Sequence, residues 1–150
     1  MNELFAYKYD DGGRGEYFDS VARDCVCRAI AIVTQLDYMD VYELIKENGQ
    51  HPARGINVWA KRFRRMMERL GFRYGVPFRN NAAHLKNGEL PSDKRIICVD
   101  NSHAIAVVNG VVRDTFDSRY DNRGKERLIY GYWIYEDKNL LNEGQGRRER

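Results

Sequence analysis

The chain of 150 residues has no long apolar run, no internal repeat and no composition shift that would mark a linker. The run Ala29–Val33 falls far short of the ~20 apolar residues that a membrane-spanning helix requires, so no membrane partner is expected. Met1-Asn2-Glu3 opens neither a secretory leader nor an Arg-rich transit peptide, which makes the cytoplasm the expected location. Cysteine is scarce: Cys25, Cys27 and Cys98 are three in number and cannot all pair with one another. They read as free thiols, metal ligands or a nucleophile rather than as a disulfide frame. An excess of one charge is also missing, because 25 Lys and Arg stand against 22 Asp and Glu. The net charge of +3 does not by itself imply a nucleic-acid partner.

What is present suffices for a core. Hydrophobic residues make up 43% and aromatics 12% of the chain, which excludes a wholly disordered polypeptide. Residues 1–138 are expected to form a single domain, and the apolar-poor segment 139–150 a flexible basic tail. Leu4 to Tyr9 alternates like a short strand, and Asp10 to Gly15 reads as a loop. Asp24 to Gln35 reads as a buried helix with Asp24 as N-cap, since Val26, Ala29, Ile30 and Val33 recur at helical spacing. A second helix is expected from Tyr38 to Asn48, ahead of Gly49. A third is expected from Gly55 to Leu70, its apolar stripe made of Ile56, Trp59, Phe63, Met66, Met67 and Leu70. Gly71 stops it.

After Phe72 the pattern turns to strands: Phe72–Val76, Arg95–Val99, His103–Val108, Val111–Phe116 and Ile129–Tyr135. Asn109-Gly110 between two of them is a strong hairpin signal. Helices followed by strands predict an α+β fold, with N-terminal helices packed on a C-terminal antiparallel sheet.

The chemistry-bearing pattern is a cysteine at a helix start followed far along the chain by a histidine at a strand start. Free N–H groups and the positive helix end favour a thiolate at Cys25. A two-residue turn pairs Val108 with Val111 and sets Asp114 opposite Ile105. His103 and Asp114 then become diagonal neighbours on one sheet face. That is the geometry a base and its orienting carboxylate need. A cysteine on an apolar helix also serves as a small core residue, and that reading stands beside the nucleophile. Cys27 and Cys98 read as core. Asp117 and Asp121 are alternatives to Asp114, while His51 and His84 lack comparable support. Cys-x-Cys is poor zinc-ligand spacing, and no metal or organic cofactor is implied.

The stretches Asp24-Cys-Val-Cys-Arg-Ala-Ile-Ala31 and His103-Ala-Ile-Ala-Val-Val-Asn-Gly-Val-Val-Arg-Asp114 resemble the papain-like cysteine peptidase superfamily. Its bacteriocin-processing C39-like and NlpC/P60-like branches are nearest, and small phage-encoded relatives look similar. The resemblance covers about a third of the chain. It implies a papain-like fold and a cysteine-dependent hydrolase of a peptide, isopeptide or other amide bond. Cys25 would be its nucleophile, His103 its base and Asp114 the third member. It also implies an oxyanion donor about six residues before the nucleophile, often Gln, where this chain has Asp19. An ionised carboxylate repels an oxyanion, so Ser20, Arg23 or the Cys25 N–H must serve instead.

The same departure supports the alternative, a catalytically inactive papain-like binding protein such as a phage-encoded inhibitor of a host protein. For a phage-encoded protein the location becomes the host cytoplasm. An Arg-rich rim from Arg54 to Arg79 suits an acidic protein or peptide substrate. Nucleic acid, bound through Lys61, Arg62, Arg64, Arg65 and Arg69, is the lesser alternative.

Overall fold

In a computed structural model, residues 3–77 and 82–136 are described. The expected tail and Arg79 lie outside the described residues. The fold is mixed α/β, with three helices on a six-stranded mixed sheet. The strands are β1 (Ala6–Tyr9), β2 (Phe72–Gly75), β3 (Arg95–Val99), β4 (Ala104–Val108), β5 (Val111–Asp114) and β6 (Gly131–Tyr135). They lie in the order β1-β5-β4-β3-β6-β2. The helices are α1 (Cys25–Thr34), α2 (Tyr38–Glu47) and α3 (Lys61–Leu70), and a 3-10 turn spans Arg14–Glu16.

β3 and β4 read as unbroken apolar runs because both of their faces are covered. Ile97, Val99, Ala104 and Ala106 pack with the helices, while Ile96, Cys98, Ile105 and Val107 join Phe5, Leu85, Leu90 and Ile129 in a second cluster. α1 is buried along nearly its whole length against β4. At its C-terminal end, Arg95 of β3 donates Nε to the Val33 carbonyl (2.7 Å) and Nη2 to that of Ile32 (3.1 Å). These are carbonyls that a helix end otherwise leaves without partners.

Several expectations are corrected. The sheet is not wholly antiparallel, because β1 runs parallel to β5, pairing Tyr7 with Val112 and Tyr9 with Asp114. The long excursion through the helices lets the chain return in the same direction, and no local pattern in Leu4–Tyr9 encodes that choice. The third helix begins at Lys61 rather than Gly55. Gly55 has φ 89°, and the Asn57 side chain accepts from the Trp59 N–H (2.9 Å), which closes a turn instead of a helix. Trp59 is accordingly 50% exposed and not part of the apolar stripe. β5 ends at Asp114, so Phe116 lies beyond it, and β6 starts at Gly131, with Ile129 in an isolated bridge to Ala83.

The hairpin has the expected two-residue turn: Asn109 (φ 50°) and Gly110 (φ 77°) are both left-handed, as a type I′ turn demands. Its register pairs Val108 with Val111, Val107 with Val112 and Ala106 with Arg113.

Candidate functional site

Three pieces of chain meet at the mouth of a cleft of about 860 Å³: the start of α1, the loop before β4 and the end of β5. Cys25, the first residue of α1, lines it together with His103 and Thr115. His103 precedes β4, where Asp100 holds the backbone, accepting through Oδ1 from the N–H groups of Ser102 (2.8 Å) and His103 (2.7 Å). The His103 Nε2 meets Asp114 Oδ2 at 2.7 Å, the diagonal contact that the hairpin register sets up. With Nε2 engaged, Nδ1 is the ring nitrogen left for the Cys25 thiol, which lies close enough to the imidazole for each to shift the other's proton affinity. Phe116 tilts against the imidazole at a centroid distance of 5.1 Å.

The electrostatics of the three groups reinforce one another. Burial alone would raise the Cys25 thiol, but the neighbouring His103 and its charge hold it below its ordinary value. Burial likewise opposes the charged form of His103, yet the hydrogen bond to Asp114 and the nearby Cys25 push it up to about 9. Asp114, although buried, stays below the usual carboxylate range, chiefly because His103 donates to it. Thr115 N–H donates to its Oδ1 at 2.7 Å. The wholly buried Ser118 hydroxyl lies outside hydrogen-bond geometry but close enough to add to that effect.

The other two thiols differ. Cys27 is fully buried beside the Tyr38 carbonyl, and burial pushes it up to about 12. Cys98 is fully buried in the second core cluster, and burial raises it as well.

Behind the site lies a buried charge network that sequence reasoning missed. Arg28 Nη2 donates to Asp114 Oδ1 (3.2 Å), and its Nη1 is in close contact with Asp24 Oδ1. Tyr38 donates its hydroxyl to Asp24 Oδ2 (2.7 Å) and accepts from Arg14 Nη1 (2.8 Å). Arg14 also lies 3.5 Å from Asp24 and stacks on Phe18. Asp24 thus holds the N-cap position but makes no capping hydrogen bond, because its carboxylate is committed to this network. The N–H groups of Cys25, Val26 and Cys27 in turn have no partner among the described residues. A signal for the network was present. Arg28 is a charged residue amid the apolar positions of α1, four places after Asp24.

Arg127 is a second missed residue. It is buried, and its guanidinium donates to Asp100 Oδ2 (2.6 Å), the Ser118 carbonyl (2.8 Å) and the Tyr120 carbonyl (3.1 Å). It therefore ties the loop that carries His103 to the loop that follows Asp114.

Asp19, Ser20 and Arg23 all line the cleft. The Ser20 carbonyl accepts from Arg14 Nε (2.9 Å), and the Arg23 backbone is bridged to residues 53–55. The alternatives to Asp114 are not at the site. Asp117 pairs with Arg119 (2.7 Å), and Asp121 accepts from the N–H groups of Arg123 and Lys125. His51 accepts from the Ala53 N–H, and His84 pairs with Glu89. Of the basic stretch from Arg54 onward, Arg54 reaches the cleft, whereas Lys61, Arg62, Arg64, Arg65 and Arg69 do not line it. Among the described residues no cluster of three His, Cys, Asp or Glu side chains could hold a metal ion. No protein-family model, curated protein or solved structure gives a significant match to this chain.

Proposed function

We propose that this chain is a cysteine-dependent hydrolase of papain-like type that attacks the acyl carbon of a peptide, isopeptide or other amide bond. One observation carries the reading. Cys25, its thiol held below its ordinary value, a raised His103, and an ionised Asp114 hydrogen-bonded to the His103 Nε2 stand together where the start of α1 and the loop before β4 wall an open cleft.

In the reaction, Cys25 Sγ adds to the carbonyl carbon as a thiolate, and the carbonyl electrons move onto oxygen. The first-turn N–H groups of α1, above all that of Cys25, are the donors nearest to hand for that oxyanion. As the C–N bond breaks, His103 gives its proton to the leaving nitrogen, and a thioester remains. His103, now neutral, takes a proton from water as the water oxygen adds to the thioester carbon. The C–S bond then breaks, the acid leaves, and thiolate and imidazolium are restored. Asp114 keeps the ring oriented and favours its charged form throughout.

The acidic Asp19 on the cleft favours a second reading, a binding protein on the same scaffold that performs no acyl transfer. Alkylation of the three thiols by iodoacetamide at mildly acidic pH separates the two. The hydrolase reading expects Cys25 to react first, Cys27 and Cys98 to stay inert, and His103→Ala to slow Cys25 to an ordinary thiol. Equal, sluggish modification of all three would overturn it in favour of the binding protein.

A further inference from the structure

We infer that Arg23 and Arg54 form an anion subsite on the cleft wall, which selects peptide substrates bearing a carboxylate side chain close to the bond that Cys25 attacks. This deepens the hydrolase reading and rests on it for the identity of the substrate as a peptide.

The two arginines are set side by side by backbone. Residues 23 and 54 form an isolated parallel bridge, in which Arg23 N–H donates to the Ala53 carbonyl (3.2 Å) and Gly55 N–H to that of Arg23 (3.0 Å). Gly55 sits at φ 89°, and a Cβ there would come within 3.0 Å of Arg23 Nη2, so the guanidinium lies directly against the glycine. Both arginines are exposed, both line the cleft with Cys25, and neither has a side-chain hydrogen bond or ion pair among the described residues.

The other charges on this wall are accounted for differently. Arg14 and Arg28 belong to the buried network, Asp11 accepts from the N–H groups of Gly13 and Gly15, and Asp100 is held by Arg127. Among the described residues Asp19 has no side-chain hydrogen bond or ion pair, with either arginine or any other residue. Two uncommitted cationic side chains on bridged backbone positions make this wall positive, and a substrate carboxylate there gains charge-assisted hydrogen bonds. Val21, 97% exposed, and Phe116, 47% exposed, line the same cleft and offer apolar surface to neighbouring residues of the peptide.

The test has two arms. In the first, a fluorescent hexapeptide containing Asp and Glu is titrated into the protein, and its Asn and Gln counterpart is the control. The wild type should prefer the acidic peptide, and Arg54→Gln should cut that preference about two- to fivefold, the effect of one charge several ångströms away in a water-like medium. The Arg23→Gln/Arg54→Gln double variant should abolish it, and added salt should weaken it in the wild type. Equal binding of the two peptides, or a preference untouched by both variants, would overturn the subsite. A single-stranded oligonucleotide of equal charge that displaces the acidic peptide through the same arginines would overturn the peptide assignment. In the second arm, the rate ratio of iodoacetate to iodoacetamide at Cys25 should fall about two- to fivefold in Arg54→Gln, with the iodoacetamide rate unchanged. Slow iodoacetamide reaction in the wild type would sink the hydrolase reading, while the peptide arm would still decide the subsite.

Discussion

Replacing Asp114 by Asn separates the charge of the third residue from its shape. In the wild type Oδ1 accepts two hydrogen bonds, from Thr115 N–H (2.7 Å) and Arg28 Nη2 (3.2 Å), and Oδ2 accepts one, from His103 Nε2 (2.7 Å). The two donors at Oδ1 require the amide oxygen of Asn to take that place, which puts the amide NH₂ opposite Nε2. A protonated Nε2 would then face a donor, so the variant favours a neutral ring that accepts there and carries its proton on Nδ1. A hydrogen bond to a charged group contributes about 1.5–3 kcal/mol, so the thiolate–imidazolium pair should lose about 2–3 kcal/mol against the neutral pair. At 1.36 kcal/mol per pH unit, the rise of the Cys25 alkylation rate with pH should move upward by about 1.5–2.2 pH units.

The assay is iodoacetamide modification of Cys25 from pH 5 to 10, with thermal unfolding in parallel. Near neutrality the variant should alkylate roughly 30- to 150-fold more slowly. Its stability should change little, because the bonds from Thr115 and Arg28 persist. The sign is fixed by His103. Its imidazolium, raised to about 9 in the wild type, persists through neutrality and is lost only as the pH climbs through that value, so hydrolysis should fall on the alkaline side. Asp117→Asn is the control, since Asp117 is paired with Arg119. An unshifted profile in Asp114→Asn, or a shifted one in Asp117→Asn, would refute the assignment of the third residue.

Arg28→Met should destabilise the protein by about 3–5 kcal/mol in chemical denaturation, because it leaves Asp24 and Asp114 buried with one cation fewer. A loss under 1 kcal/mol would mean that the network does not depend on Arg28. Arg127→Met should lower hydrolytic kcat, because it frees the loop that orients His103, and should also destabilise the fold, because it leaves the largely buried Asp100 without its cation. A pH profile identical to the wild type, with kcat unchanged, would remove Arg127 from the positioning machinery.

The parts of the fold legible in the sequence were those with a local cause. α1 and α2 show their apolar periodicity, and the Asn109-Gly110 turn fixes the register that brings Asp114 to His103. The start of α3 was misread because Ile56 and Trp59 happen to fall at helical spacing, whereas Gly55 and the Asn57 side chain dictate a turn. The parallel pairing of β1 with β5 joins residues about a hundred positions apart, and nothing within either strand specifies it. The position of Cys25 at the start of α1 and of His103 beside Asp114 was legible because a helix start and a two-residue turn are local signals. Arg14, Arg28, Tyr38 and Arg127 were not, because arginine and tyrosine are usually surface residues and their burial depends on partners distant in sequence.

The order of the strands has a consequence for the newly made chain. β1 is synthesised first, yet its neighbour in the sheet is β5, and the Tyr7 hydroxyl donates to the carbonyl of Asp114 (3.0 Å). Cys25 precedes His103 by 78 residues. Until the ribosome has passed β5, α1 can form but its first residue has neither imidazole nor carboxylate beside it, and that residue remains an ordinary, mostly protonated thiol. The influence of His103 on the Cys25 thiol therefore begins only when the hairpin docks between β1 and β3, a closure between positions far apart in the chain.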